Sequence, residues 1–160
     1  MADFAVVPVF GCAAIATALT HGKPATWVTG VTAAAGYLTW TFTEYAMHRW
    51  GFHRLYRYDH ARHHVRPRDW IGVTPWVSTL ALAAIWRSMV LCFGTAAGSI
   101  SFVGFAAGYF GYITIHWLIH HSSRQFIAPL KAHHDMHHRR ARVNFGVSTR
   151  LWDVVFRTRA

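Results

Sequence analysis

Histidine side chains are concentrated at four places in this chain of 160 residues, which contains 13 histidines. Imidazole nitrogens bind Fe, Zn, Cu and Ni, so repeated histidine clusters indicate a metal site. One ion cannot use ten imidazoles, whereas two ions would each receive about five. The sequence therefore predicts a centre of two metals with redox or Lewis-acid chemistry. The candidate ligands are His48, His53, His60, His63, His64, His116, His120, His134, His137 and His138.

The spacing within each cluster is typical of helices. Two clusters repeat histidines at positions i, i+3 and i+4, and a third has them at i and i+4, which are neighbouring positions on a helix. His48 and His53 are five residues apart, so for both to reach one ion the helix must end or bend, and Gly51 permits that. His121 and His133 lie beside the clusters and are secondary candidates.

Acidic and amide side chains near the clusters are candidates for supporting the ligands. A carboxylate that accepts the far ring N–H of a bound histidine fixes its tautomer and orientation. Glu44 lies four residues before His48, on the same side of a helix. We expect no catalytic residues beyond the ligands and these supports. The candidate supports are Glu44, Asp59, Asp135 and Asn144.

Four nearly uncharged stretches connect the clusters, at 4–20, 25–43, 73–93 and 95–115. Each is close to the ~20 residues that a helix needs to cross a bilayer. The first is expected to be a membrane helix and not a cleaved signal, because no Lys or Arg precedes it.

Cys12 and Cys92 are expected to be small buried residues without a disulfide. Tryptophans near the ends predict an interfacial belt or core packing; they are Trp27, Trp40, Trp50, Trp70, Trp76 and Trp117.

Positive charge is concentrated in two parts of the chain, whose formal net charge is +10, and only Lys23 and Arg87 lie elsewhere. Of the 16 Lys and Arg, six lie between His48 and Trp70 and eight lie after His121. The positive-inside rule places both parts, and both termini, in the cytoplasm. We therefore predict one all-α integral membrane domain, 1–160, with four transmembrane helices and outer turns at 21–24 and 94–98. Segments 44–70 and 116–160 would form a cytosol-facing, histidine-rich helical cap. Nucleic-acid binding is not expected, because the spans and the interleaved histidines account for the charge.

The histidine clusters and the C-terminal segment form a set of motifs with fixed spacing. The motifs are Glu44-Tyr45-x-x-His48-Arg49-x-x-Phe52-His53, His60-x-x-His63-His64, His116-x-x-x-His120-His121, His134-x-x-His137-His138, Asn144-Phe145-Gly146-Val147-Ser148-Thr149, and Leu151-Trp152-Asp153 with Phe156. They resemble the fatty acid hydroxylase / sterol desaturase superfamily of histidine-rich membrane di-iron oxygenases. The likeness covers about residues 42–158 and is greatest to fatty acid 2-hydroxylases, although the seven-residue step from His53 to His60 is closer to sterol-type or carotenoid-type members. Arg157 stands where a glycine is usual.

The resemblance implies two iron ions held by the ten candidate histidines, with O₂ as co-substrate and hydroxylation of a C–H bond in a lipid or fatty acyl chain. Zinc can replace iron in purified protein. A separate electron donor, such as ferredoxin or cytochrome b5 with its reductase, is implied as well. The sequence has no nucleotide-binding glycine motif and no cysteine spacing for an iron–sulfur cluster. The arginines at 139–142 are a candidate docking surface for an acidic carrier.

Other functions use part of the same pattern. A carotenoid or sterol-type hydroxylase or desaturase would have the same centre. A zinc-dependent membrane hydrolase needs few imidazoles and usually a Glu base, and the sequence has no His-Glu-x-x-His motif. A haem site needs two axial histidines, and a metal transporter would place its ligands at mid-membrane. We expect the oxygenase because it uses all four clusters.

Overall fold

Every regular element in the part of the chain that the computed structural model describes, residues 2–22, 25–69 and 74–160, is helical, which confirms the all-α prediction. Lys23 and Pro24 of the predicted first outer turn, and Trp70 of the predicted belt, lie outside these residues. The elements are α1 (Asp3–Thr20), α2 (Thr26–Ala46), a π-helix (Met47–Leu55), α3 (Arg57–Val65), α4 (Pro75–Phe93), α5 (Thr95–His121), a 3₁₀ turn (Gln125–Ile127), α6 (Ala128–Arg139) and α7 (Leu151–Val155).

Three of the described helices, α1, α4 and α5, are long and apolar enough to cross a membrane. They correspond to three of the four predicted stretches, and α5 continues beyond the predicted end at 115 as far as His121. The turn between α4 and α5 is confined to Gly94, whose φ is 80°. The fourth predicted stretch, 25–43, lies in α2, which is not among the three helices that qualify.

The chain divides into two compact units, the first formed by Met1–Trp40 and Val73–Phe110. Within this unit α1 contacts α4, and α2 comes close to α5 at two glycines. A Cβ atom on Gly36 would overlap the carbonyl oxygen of Ser101, and one on Gly104 would overlap that of Ala33. Small residues allow two helix backbones to approach this closely.

Aromatic and polar contacts complete the first unit. The ring of Trp40 stacks on Tyr109 with centroids 4.5 Å apart and meets Phe105 edge-on at 5.1 Å. Asp3 is buried, and its carboxylate accepts hydrogen bonds from the hydroxyls of Ser78 (2.6 Å) and Tyr109 (3.0 Å). This polar cluster therefore joins the first turns of α1 and α4 to α5.

The predictions for tryptophan and cysteine are borne out in part. Trp27 and Trp76 are largely exposed, whereas Trp40 is buried in the core of the first unit, in keeping with core packing. Cys12 and Cys92 are free thiols, as expected. Both are exposed and not buried, because they lie on outward sides of α1 and α4.

The second unit, Thr41–Gly72 with Gly111–Ala160, contains the π-helix, α3, α6, α7 and the last turns of α2 and α5. Its apolar core is formed by Ile119, Ile127 and Val147, with Ile115 and Leu130 packed against them. This core lies between α5 and the residues around α6, the two helices that carry the last two histidine clusters.

The C-terminal tail, residues 143–160, is anchored on the last turns of α2. Glu44 accepts hydrogen bonds from the backbone N–H groups of Val147 (2.7 Å) and Ser148 (2.9 Å) and from the Ser148 hydroxyl. Trp152 Nε1 donates to the Thr41 hydroxyl (3.1 Å). Arg157 has φ 54°, a left-handed conformation that favours glycine.

Candidate metal centre

Imidazole rings from distant parts of the chain converge in two groups inside the second unit. In each group one ring nitrogen from every member lies within 4.8 Å of the others. Nine of the ten predicted ligands belong to these groups. The first group is His48, His53, His60, His64 and His137, and the second group is His63, His120, His134 and His138.

The tenth predicted ligand, His116, adjoins the second group. Its Nε2 lies 3.0 Å from Nε2 of His134. His134 Nε2 also lies 3.2 Å from Nε2 of His120 and 3.0 Å from Nε2 of His138. The second group therefore has a central nitrogen with three imidazole nitrogens around it.

The first group is built in the same way around His60. Its Nε2 lies 3.1 Å from Nε2 of His48, 3.2 Å from that of His53 and 3.1 Å from that of His64. The Nε2 atoms of His53 and His137 are 3.2 Å apart and complete the group.

These distances fit a shared cation and not a network of hydrogen bonds. A neutral imidazole nitrogen carries one proton or one lone pair, so it cannot bond to three other nitrogens at once. Two nitrogens bound to one ion at right angles, each about 2.1 Å from it, are about 3.0 Å apart. Among the described residues, both ring nitrogens of His63 and Nδ1 of His134 are buried without a hydrogen-bond partner. The donor set therefore fits transition-metal ions bound by imidazole.

A π-helix brings His48 and His53 together. The sequence predicted an end or a bend at Gly51, and the structure instead has i→i+5 hydrogen bonds here, such as Tyr56 N–H to the Gly51 carbonyl (3.1 Å). The wider turn lets residues five apart face the same side, and the two rings stack 5.5 Å apart. A Cβ on Gly51 would lie 2.8 Å from Cε of Met47, the flexible end of a side chain that can move aside.

The i, i+3, i+4 clusters each divide between the two groups. On α3, His60 and His64 lie in the first group and His63 in the second. On α6, His137 lies in the first group, while His134 and His138 lie in the second. Adjacent positions on a helix point about 100° apart, so one turn can supply both groups.

Backbone carbonyls of the tail orient two ligands of the first group. His48 Nδ1 donates to the Phe145 carbonyl (2.5 Å), and His137 Nδ1 donates to the Val143 carbonyl (2.8 Å). Because a carbonyl only accepts, each ring must carry its proton on Nδ1. The Nε2 lone pair of each ring is therefore free to bind a metal.

Burial keeps the imidazoles of the first group neutral. Burial, with a further contribution from the facing His64, lowers the pKa of His53 to about 4 and that of His137 to about 3. Both rings are therefore unprotonated at neutral pH, which is the form that binds metal ions.

The two secondary candidates lie outside both groups. His121 is exposed, its ring stacks on Trp117, and its Nδ1 donates to the Trp117 carbonyl (3.0 Å). His133 is buried, and its Nε2 donates to Asp153 Oδ2 (2.9 Å).

The candidate supports have contacts other than the expected ones. Glu44 binds the tail backbone, Asp59 faces Arg62 at 3.9 Å, and Asp135 faces Lys131 at 3.6 Å. Tail carbonyls take the supporting role for His48 and His137 because the tail passes directly beside these two rings.

The remaining candidate, Asn144, holds the tail. It has φ 56°, donates to the His133 carbonyl (3.1 Å) and accepts from the N–H of Ala160 (2.8 Å). Asp153 lies in one of the sequence motifs, but its position there predicted no role for it. The available signal was a lone acid within a strongly basic tail.

Comparison with known proteins agrees with this geometry. The model of the family "Fatty acid hydroxylase" matches residues 33–158. The chain is 33% identical to the fatty acid 2-hydroxylase of Mus musculus over 140 residues, covering 77% of this chain and 38% of that protein. It is 30% identical to the dihydroceramide fatty acyl 2-hydroxylase FAH2 of Arabidopsis thaliana over 143 residues, covering 81% and 60%. The chain thus spans less than two thirds of these relatives.

A solved structure shares the fold. It is described as full-length scs7p with only the hydroxylase domain visible, and it matches with a TM-score of 0.75 at 22% sequence identity. The match covers 98% of this chain and 64% of the other. The family match, together with the two histidine groups, leads to one assignment: the chain belongs to the fatty acid hydroxylase family.

Proposed function

We propose that this chain is a membrane-bound, non-haem di-iron oxygenase that uses O₂ to hydroxylate a C–H bond in a lipid or fatty acyl substrate. The observation that carries the proposal is the convergence of imidazole nitrogens into two groups at ligand-like separations. The names of the relatives, which are fatty acid and dihydroceramide fatty acyl 2-hydroxylases, support an acyl chain as substrate.

Each group would hold one iron ion. The first would be bound by the five residues of the first group and the second by the four residues of the second group with His116. When bound, the pair of ions supplies the redox chemistry needed to activate O₂ and attack an unactivated C–H bond.

The protein's own part is to orient the ligands and exclude water. The Phe145 and Val143 carbonyls hold His48 and His137 in the Nδ1–H tautomer. His134 and His137 have no exposed surface, and the apolar core around Ile119 packs beside the helices that carry them. A dry and rigid set of ligands keeps the reaction from solvent.

We also propose four membrane spans, with α2 as the fourth, and with both termini and the metal centre in the cytoplasm. The distribution of Lys and Arg supports this orientation. Single cysteines at Thr95→Cys and Arg140→Cys, in a chain with Cys12→Ser and Cys92→Ser, test it with a membrane-impermeant maleimide on intact cells. We expect labelling at position 95 alone. Labelling at position 140 alone would indicate the opposite orientation, with the metal centre outside.

A separate redox protein, of the ferredoxin or cytochrome b5 type with its reductase, would deliver the electrons. Arg139, Arg140 and Arg142 are exposed in the second unit and offer a basic surface to an acidic carrier. Turnover with the carrier should slow as ionic strength rises, because salt screens this attraction. Turnover that does not change with salt would contradict docking at these arginines.

The deciding experiment counts metals in the purified chain and then supplies iron, a reductase system and O₂ to chain and lipid together. Mass spectrometry of the extracted lipids should show a gain of one oxygen, and the His137→Ala variant should show none. A loss of two hydrogens would indicate a desaturase. Lipid cleavage without O₂ by the zinc-loaded chain would indicate a hydrolase.

A further inference from the structure

Asp153 is the most densely bonded acidic side chain of the second unit, and it has no exposed surface. Its Oδ1 accepts from the N–H of Phe145 (2.8 Å) and from the Thr158 hydroxyl (2.7 Å). Its Oδ2 accepts from the N–H of Gly146 (2.8 Å) and from His133 Nε2 (2.9 Å). The four donors fill the four lone-pair sites of the carboxylate, and two of them are consecutive backbone groups of the tail.

One of these backbone groups, the Gly146 N–H, lies in the same peptide as the Phe145 carbonyl, which supports a ligand of the first group. The Phe145 N–H bonds to Asp153, and the Phe145 carbonyl accepts from His48 Nδ1. Two residues earlier, the Val143 carbonyl accepts from His137 Nδ1. The position of the Asp153 carboxylate therefore determines where the Phe145 peptide lies, and with it the orientation of the His48 ring.

A second connection runs from Asp153 to α6. His133, which donates to Asp153, directly precedes His134, and its carbonyl accepts from the side chain of Asn144. The tail is thus bonded to α6 through both the side chain and the backbone carbonyl of His133. The close fit is visible at Gly146, where a Cβ would lie 2.9 Å from Asp153 Oδ2.

The two groups differ in their contact with the tail. Within the described part of the chain, tail carbonyls are bonded to His48 and His137, both in the first group, and to no imidazole of the second group. Displacement of the tail should therefore loosen one group of ligands and leave the other in place.

We propose that Asp153 is a positioning residue for the metal ion of the first group, acting through the Phe145 and Val143 carbonyls on His48 and His137. This inference rests on the proposed di-metal centre. Asp153 touches no member of the two histidine groups, so its effect is on ligand orientation. Loss of such outer hydrogen bonds lowers metal affinity about 10- to 100-fold.

The test measures cobalt binding to the full chain in detergent, after a chelator has removed bound metal. Asp153→Asn keeps the size of the side chain but turns an amide NH₂ towards two donors. Elemental analysis gives the ions per chain, chelator competition gives the affinity of each ion, and visible absorption reports the ligand geometry. Asp69→Asn, an exposed acid that faces Arg66 at 3.9 Å, is the matched control.

We expect wild type and Asp69→Asn to bind two cobalt ions. Asp153→Asn should bind one of them about 10- to 100-fold more weakly, with a changed absorption spectrum for that ion alone. Thr158→Val removes one of the four donors and should shift the same ion in the same direction by less. If Asp153→Asn does not fold, the affinities measured for Thr158→Val test the inference in its place.

Two wild-type affinities in Asp153→Asn, or equal weakening of both ions, would overturn the inference and leave the proposed function standing. Equal weakening would show that the residue acts on the fold as a whole. A wild-type chain that binds fewer than two cobalt ions would overturn the proposed centre and this inference together.

Discussion

The two units of the chain differ in how their buried polar groups are satisfied. In the first unit the buried Asp3 is satisfied by two hydroxyl donors, and most other contacts are apolar or made by small residues. In the second unit buried imidazoles face one another at distances that hydrogen bonds cannot explain, and His63 has no partner for either ring nitrogen within the described residues.

The difference indicates that the buried imidazoles of the second unit lower its stability and serve to bind a ligand. A buried polar group without a partner costs about 1–3 kcal/mol, so a cluster of them is unfavourable unless a ligand satisfies them. The first unit contains no such cluster among the residues that the structure describes. We therefore expect substitutions in the second unit to change metal binding and activity, and those in the first to change stability.

The largest effect is expected for His63→Ala, in the second unit. It removes a ring whose two nitrogens have no hydrogen-bond partner among the described residues, so one metal ion and the proposed hydroxylation should be lost. Metal analysis and lipid mass spectrometry measure both. His121→Ala, an exposed ring on α5, is the control and should retain both. An active His63→Ala enzyme would contradict the ligand assignment.

The next effect is on the stability of the first unit. Gly36→Ala places a Cβ against the backbone of Ser101, so α2 and α5 must move apart at a cost near the upper end of about 1–3 kcal/mol. Thermal unfolding in detergent measures the loss. Gly30→Ala, on the same helix with nothing within 4 Å, should not destabilise the chain. Equal melting temperatures for the two variants would disprove the close approach.

A smaller loss of stability is expected for Ser78→Ala. It removes one of two donors to the buried Asp3 carboxylate, and a hydrogen bond to a charged group contributes about 1.5–3 kcal/mol. The lower end applies because Tyr109 still donates. Ser88→Ala, an exposed hydroxyl on the same helix, serves as the comparison in thermal unfolding. A drop in metal content with Ser78→Ala would show that the two units are not independent in this respect.

The smallest effect is expected for Asp59→Asn. Its side chain is 72% exposed and faces Arg62 at 3.9 Å, so it neither supports a ligand nor forms a strong ion pair. Metal content and melting temperature should both equal those of wild type. A loss of metal would restore the role that the sequence suggested for this acid.

Local pattern was sufficient for the helices and for the set of candidate ligands. Apolar runs predicted α1, α4 and α5, because any helix of that length and composition needs a nonpolar environment. The i, i+3, i+4 spacing placed His60, His63 and His64 on one turn, since that geometry belongs to the helix itself.

Contacts between distant residues could not be read in this way. Spacing did not show that the helix around Gly51 is a π-helix, or that Cys12 and Cys92 lie on outward sides of their helices. It also directed attention to acids close in sequence to the histidines, such as Glu44, whereas the observed acceptors are carbonyls 97 residues after His48 and 6 residues after His137.

The sequence by itself therefore determined the long apolar helices and the metal-binding residue type, because these depend on composition and on spacing along one helix. The tertiary structure decided which imidazoles share a group, which tautomer His48 adopts, and that the Asp153 carboxylate accepts from the Phe145 N–H. Those features depend on where distant backbone segments meet, which side-chain spacing along the chain does not encode.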